Sequence, residues 1–141
     1  MTTAKKYFGI WEKYEDVVDS LANTGYSNSQ EQDRKNWREN NPNFPTDKEI
    51  LWAAYDYEDY SGSATIFFKK NGKLMEYGGS HCSYDGLEED AFSATETSWE
   101  ALAMRNPDGS LYGYGAHDSE AIEAIKALVD KNAKKPKKGT K

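Results

Sequence analysis

The dipeptide Asn71-Gly72 constrains the fold of this chain more than any other feature, because it separates two runs suited to paired strands, Ala64 to Lys70 (ATIFFKK) and Lys73 to Tyr77 (KLMEY). A two-residue type I′ turn needs positive φ at both central positions, and Asn followed by Gly supplies both at little cost. Such a turn fixes the register. Lys70 then opposes Lys73, Phe68 opposes Met75 and Ile66 opposes Tyr77, so Ala64, Ile66, Phe68, Met75 and Tyr77 share one face, which is expected to be buried. The preceding run, Glu49 to Tyr57, is predicted to join as a third strand through a polar turn at residues 58–62, making a β-meander over residues 49–78. A sheet with one apolar face needs a helical layer over it.

Helical signals flank this meander. Tyr7, Trp11, Tyr14, Val18 and Leu21 recur at spacings of 4, 3, 4 and 3. That spacing predicts an amphipathic helix over residues 4–22, closed by Asn23-Thr24-Gly25. Residues 28–40 suit a surface helix pinned by Trp37, and Pro42 and Pro45 then break regularity. Gly78 to Gly86 (GGSHCSYDG) is read as a loop. Thr97-Ser98-Trp99-Glu100 has the form of a capping box ahead of Leu102 and Ala103, and Asn106-Pro107-Asp108-Gly109 would stop that helix. Leu111 to Gly115 is read as a short edge segment. Asp118 or Ser119 is expected to cap a last helix with Ala121, Ile122, Ile125, Leu128 and Val129 inward. The expected architecture is a single α+β domain over residues 1–130, an antiparallel sheet of three or four strands covered by helices mainly on one face, followed by a flexible Lys-rich tail over residues 131–141.

The 141 residues suit one domain, and ten Tyr, five Phe and four Trp supply the apolar bodies for its core. No run approaches the roughly 18 apolar residues of a membrane span, and no signal-peptide pattern opens the chain, so a cytoplasmic protein without a membrane partner is expected. Charge is unevenly distributed. The lysines at 131, 134, 135, 137, 138 and 141 leave 12 basic against 24 acidic groups on residues 1–130, a charge of −12. An acidic body repels phosphates, so nucleic acid is not an expected partner except through the Lys-rich tail. That tail otherwise reads as a solvated terminus or one that folds back on the acidic body.

Motifs with chemistry are few. Cys82 is the single cysteine, which rules out an intramolecular disulfide and a multi-cysteine zinc site. It stands beside His81, one of two histidines. A thiolate nucleophile needs a base or a positive field, which His81 or His117 with Asp118 could supply, so a small thiol-dependent hydrolase or transferase is one reading of Cys82, His81 and His117. The competing reading makes Cys82 a small buried apolar group and His81 a hydrogen-bonded loop residue. No spacing directs these residues to a metal. The acidic runs at Asp56, Glu58 and Asp59 and at Asp85, Glu88, Glu89 and Asp90 lack the calcium-loop pattern, and Gly78-Gly79 is not followed by a phosphate-loop Gly-Lys. Neither a metal nor a cofactor is expected. Trp52 to Tyr60 interleaves aromatic and acidic residues, a composition shared by protein-binding surfaces and by two-sided core strands. The residues expected to bind a partner are Tyr55, Asp56, Tyr57, Glu58, Tyr60, His81, Tyr84 and Asp85. Rows of carboxylates on the acidic body would alternatively make it a nucleic-acid mimic.

Over roughly residues 50–105 the chain resembles a family of small, largely uncharacterised proteins encoded by bacteriophages and prophages. The likeness runs through Tyr60 and Gly62, Phe67-Phe68, Gly72-Lys73-Leu74, Tyr77, Gly79-Ser80-His81-Cys82-Ser83, Gly86-Leu87-Glu88, Glu96-Thr97 and Trp99 to Leu102. Gly-Ser-His-Cys is its specific part. Family members often carry a second Cys two positions after the first, where this chain has Tyr84, and a Trp near the position of Phe92. The missing cysteine argues against a required metal or dithiol. The resemblance implies a phage accessory protein, a class that includes inhibitors of host defences and host enzymes. The expectation is therefore a protein that binds and modulates or inhibits a host protein, such as a defence-system component, in the bacterial cytoplasm, without catalysis.

Overall fold

The computed structural model describes residues 6–22, 30–58, 61–81, 92–104 and 119–133. The elements run β1 (Tyr7–Gly9), α1 (Tyr14–Ala22), α2 (Gln30–Asn40), β2 (Ile50–Glu58), β3 (Ser61–Lys70), β4 (Lys73–His81), β5 (Thr95–Glu96), α3 (Trp99–Ala103) and α4 (Ser119–Asn132). The class is α+β, with one sheet in the order β1-β2-β3-β4-β5. Among the described residues it has five strands and is mixed, where three or four antiparallel strands were expected, because β1 pairs parallel with β2 at one edge while β5 adds a short antiparallel pair at the other.

The hairpin register expected from Asn71-Gly72 is the one found. Lys70 opposes Lys73, Phe68 opposes Met75 and Ile66 opposes Tyr77, and Asn71 and Gly72 hold φ of 56° and 78°. Ala64, Ile66, Phe68 and Tyr77 are buried in one cluster, with Met75 packed against it. The opposite face is buried too. Trp52, Ala54, Phe67 and Leu74 form a second cluster with Phe8, so helices cover both faces rather than mainly one. Val17, Val18 and Leu21 of α1 lie on the first face with Phe44 and Phe92. Leu102 of α3 and Ala121, Ile125 and Val129 of α4 lie on the second, and the Trp52 indole donates to the Ala121 carbonyl at 3.0 Å. A register shift between Ile50 and Trp52 lets these two residues, both of even number, serve opposite cores.

The expected helix over residues 4–22 is a strand, a turn and a shorter helix. Tyr7, Trp11, Val18 and Leu21 do share one core, but Phe8 buries on the other face, which a strand with period two permits and a helix does not. Gly9 makes the corner: its φ is +74°, and a Cβ there would collide with the Tyr55 carbonyl oxygen. The helix starts where the Asp16 carboxylate accepts from the amides of Glu12 and Lys13. Strand β4 also runs further than its glycines suggested. Ladder bonds are made by backbone, so Gly78 to His81 pair with Thr65 to Gly62, and the missing Cβ of Gly79 leaves room for the Tyr77 hydroxyl. The cap of α3 is Ser98 rather than Thr97; its side chain accepts from Ala101 N, while Thr97 N is bonded to Leu74 O. Helix α4 carries Lys131 and Asn132, placing the start of the expected tail inside the domain.

One buried polar side chain ties the first face together. Asn41, 5% exposed, donates from Nδ2 to Trp37 O at 2.8 Å and accepts from Phe92 N at 2.7 Å. This holds Phe92 where its ring stacks on Tyr77, with centroids 5.2 Å apart, and meets Phe44 edge-on at 5.0 Å. Replacing Asn41 by Ala leaves the Phe92 amide buried without its partner and is expected to cost about 1–3 kcal/mol in urea unfolding. Two glycine substitutions separate strain from collision. Gly72→Ala meets open space and is expected to cost about 1–2 kcal/mol for its left-handed backbone alone. Gly9→Ala adds the collision with Tyr55 and is expected to cost clearly more in the same measurement.

Candidate functional site

A polar cleft forms where β1, the start of α1 and the turn before β2 meet. Its volume is about 400 Å³, within the range of ligand sites, and it is lined by Lys6, Tyr7, Glu12, Lys13, Tyr14, Glu15 and Asp47. The turn is locally determined: Thr46 N donates to Glu49 Oε1 at 2.9 Å and Glu49 N donates to Thr46 Oγ1 at 3.3 Å, a reciprocal pair. Glu49 also takes the Lys70 ammonium at 3.1 Å, anchoring the turn to the end of β3. Asp47 is left on the turn's outer side, facing β1.

Three side chains then close on one another. The Tyr7 hydroxyl donates to Asp47 Oδ1 at 2.5 Å. Lys6 Nζ donates to the carbonyls of Asp47 and Ile50, stands 3.4 Å from Asp47 Oδ1 and lies 5.6 Å from the centre of the Tyr7 ring. The Tyr14 hydroxyl donates to Pro45 O at 2.7 Å, with the Arg38 guanidinium 5.9 Å from the Tyr14 ring centre. Glu12 and Glu15 stay exposed at the rim.

These contacts move the titrating groups away from neutrality. Burial pushes the Tyr7 hydroxyl well above its ordinary value of 10.0, and the hydrogen bond to Asp47 and that residue's charge add to it. Burial also raises Tyr14, partly offset by Arg38. Asp47 is held below 3.8 chiefly by the Tyr7 hydroxyl, with desolvation opposing and Lys6 assisting. For Glu49 burial acts upward, but the Thr46 amide and Lys70 outweigh it, so its carboxyl is lowered. At neutral pH the cleft thus presents Asp47 as a fixed anion and the Tyr7 and Tyr14 hydroxyls as fixed donors.

The residues expected from sequence fall differently. Tyr55 is 6% exposed and packs on Trp11, with centroids 5.2 Å apart, so it belongs to the core. Asp56, Tyr57 and Glu58 lie in β2 opposite Ser63, Gly62 and Ser61. His81 ends β4 opposite Gly62, which places Tyr57, Gly62 and His81 in one row across three strands. Tyr60, Cys82, Tyr84, Asp85 and His117 lie outside the described residues, as do Asp59, Glu88, Glu89, Asp90, Asp118, the segments 106–109 and 111–115 and the tail from residue 134. Among the described residues no group of three or more His, Cys, Asp or Glu is placed to hold a metal ion, and no helix is long and apolar enough to cross a membrane. No family model, curated protein or solved structure matches the chain.

Sequence reasoning missed the cleft. Tyr7 and Tyr14 read as core positions of one helix, and nothing in the chain pairs residues 6 and 7 with a residue 40 positions away. The Thr46-x-x-Glu49 pattern was the available signal, since it marks a turn that has to present residues 47 and 48 outward.

The shifts carry a sign. Asp47, lowered on folding, contributes stability that is present above 3.8 and lost as pH falls through its folded value; Tyr7, raised on folding, contributes stability present below 10.0 and lost as pH rises beyond it. Tyr7→Phe is therefore expected to cost about 1 kcal/mol at pH 7, discounted for the 57% exposure of the Asp47 side chain. Denaturation at several pH values should show that cost shrink as pH falls below 3.8, where Asp47 of the unfolded chain takes up its proton first, and vanish once pH has passed its lower folded value.

Proposed function

We propose that this chain is a phage accessory protein that binds and modulates a host protein in the bacterial cytoplasm and catalyses no reaction of its own. The phage origin comes from the Gly-Ser-His-Cys stretch, Gly79 to Cys82, and its flanks. Binding without catalysis is supported above all by the charge state of the cleft. General acid–base work needs a group whose pKa lies near the operating pH. Asp47 is moved down and Tyr7 and Tyr14 are moved up, so these groups offer permanent charge and permanent donors, the properties a recognition surface uses. The −12 charge of residues 1–130 favours encounter with a basic patch on the partner.

The test is capture from a bacterial lysate with the full chain and its Cys82→Ala variant, followed by reconstitution from purified components. One host protein bound in stoichiometric amount by both forms, and again by both after purification, is the expected result. A partner or a modified product seen only with the intact thiol would contradict the proposal and favour a thiol-dependent enzyme. Failure of any host protein to bind at micromolar concentration would contradict it as well.

A further inference from the structure

We propose that the cleft between β1, α1 and the 45–49 turn receives a lysine or arginine side chain from a basic segment of the protein partner. The cleft already holds one such group. The Lys6 ammonium sits in a cage of two backbone carbonyls, the Asp47 carboxylate and the face of the Tyr7 ring, and the Arg38 guanidinium lies over the Tyr14 ring. Both tyrosine hydroxyls donate inward, to Asp47 and to Pro45, and the negative faces of their rings attract cations. The walls thus already accommodate cations, and two of their carboxylates make no close ion pair among the described residues, Glu15 feeling the Arg34 charge only at longer range. Glu12 and Glu15 are exposed and form no ion pair among the described residues, whereas Asp47 is shared between Tyr7 and Lys6. Among the described residues, Lys13 is the one cation that lines the cleft outside the cage. An incoming ammonium or guanidinium would lie between the two carboxylates with its aliphatic stem along the Tyr14 ring, the arrangement that lets a long basic side chain bury its stem and keep its charge paired. The acidic body supplies the long-range attraction and the cleft the short-range fit.

This inference rests on the binding proposal, and its test is separate from partner capture. An acetylated, amidated Gly-Arg-Lys-Arg-Gly peptide and its Gly-Gln-Gln-Gln-Gly counterpart are titrated into the full chain while the ring resonances of Tyr7 and Tyr14 are followed by NMR. Saturable shifts of these resonances with the basic peptide alone, weakened by added salt, are expected. The Glu12→Gln/Glu15→Gln variant should bind it about two- to tenfold more weakly, while Glu12→Asp/Glu15→Asp retains binding. Equal response to both peptides, ring resonances that do not move, or an unchanged affinity in the Gln variant would overturn the inference. So would a peptide that reaches the cleft only after the tail lysines 134, 135, 137 and 138 are changed to Gln in the full chain, since the occupant would then be the chain's own tail. Partner capture that survives the Glu12→Gln/Glu15→Gln change leaves the binding proposal standing and removes this one.

Discussion

Burial of strands β2, β3 and β4 on both faces is the constraint on which the rest of the structure depends. Successive residues of a strand point to opposite sides, so a run such as Ile66-Phe67-Phe68, with all three side chains 1% exposed or less, needs a separate cover on each face. Each large side chain removed from water contributes about 1.5–3 kcal/mol, enough that neither face could be left to solvent. The first face is covered by α1 and Phe44, which precede the strands, and by Phe92, which follows β4; the second is covered by α3 and α4, which follow the strands, with Phe8 of β1. The covers are distant in sequence, and they meet the same three strands.

The cleft is a consequence of how the first cover begins. To place Tyr7 on one core and Phe8 on the other, the chain enters as a strand beside β2, and it can then reach α1 only through a corner. Gly9 provides that corner, with the Ile10 amide bonded to the Tyr55 carbonyl at 2.8 Å. The parallel pairing brings Lys6 alongside Ala53, whose amide donates to the Lys6 carbonyl at 2.9 Å, and so carries the Lys6 and Tyr7 side chains to the turn that precedes β2. A carboxylate on that turn meets an ammonium and a phenol. The packing of the sheet and the chemistry of the cleft thus have one origin, and the residues that line the cleft also hold the edge strand in place.

Local signals were legible in the sequence and distant pairings were not. Asn71-Gly72 set the hairpin register residue by residue because its turn geometry allows one alignment. The stripe of Ala121, Ile125 and Val129 marked the inner side of α4 for a similar reason, since one helix presents one face. The stripe from Tyr7 to Leu21 named the correct core residues but the wrong element: a strand followed by a turn and a helix can aim the same side chains at one core as a single helix can. Phe8 and Gly9, both off the stripe, were the residues at odds with a helix. The parallel partner of β1 lies more than 40 residues away, and no local pattern encodes it. Of the residues singled out for binding, Tyr55 proved to be core because its position in β2 faces Trp11, while the cleft residues Lys6, Tyr7 and Asp47 gain their meaning only from that long-range pairing.

The Asp47 charge and the Tyr7 donor are held fixed across neutral pH, and the proposed recognition of a partner depends on both. NMR titration of the Asp47 carboxyl carbon together with the ring carbons of Tyr7 tests this most directly. The account predicts a midpoint for Asp47 below 3.8 and one for Tyr7 above 10.0, with both unchanged through neutrality. A midpoint for either group between about 5 and 9 would contradict it, since such a group could exchange protons at working pH and the cleft would be poised for catalysis.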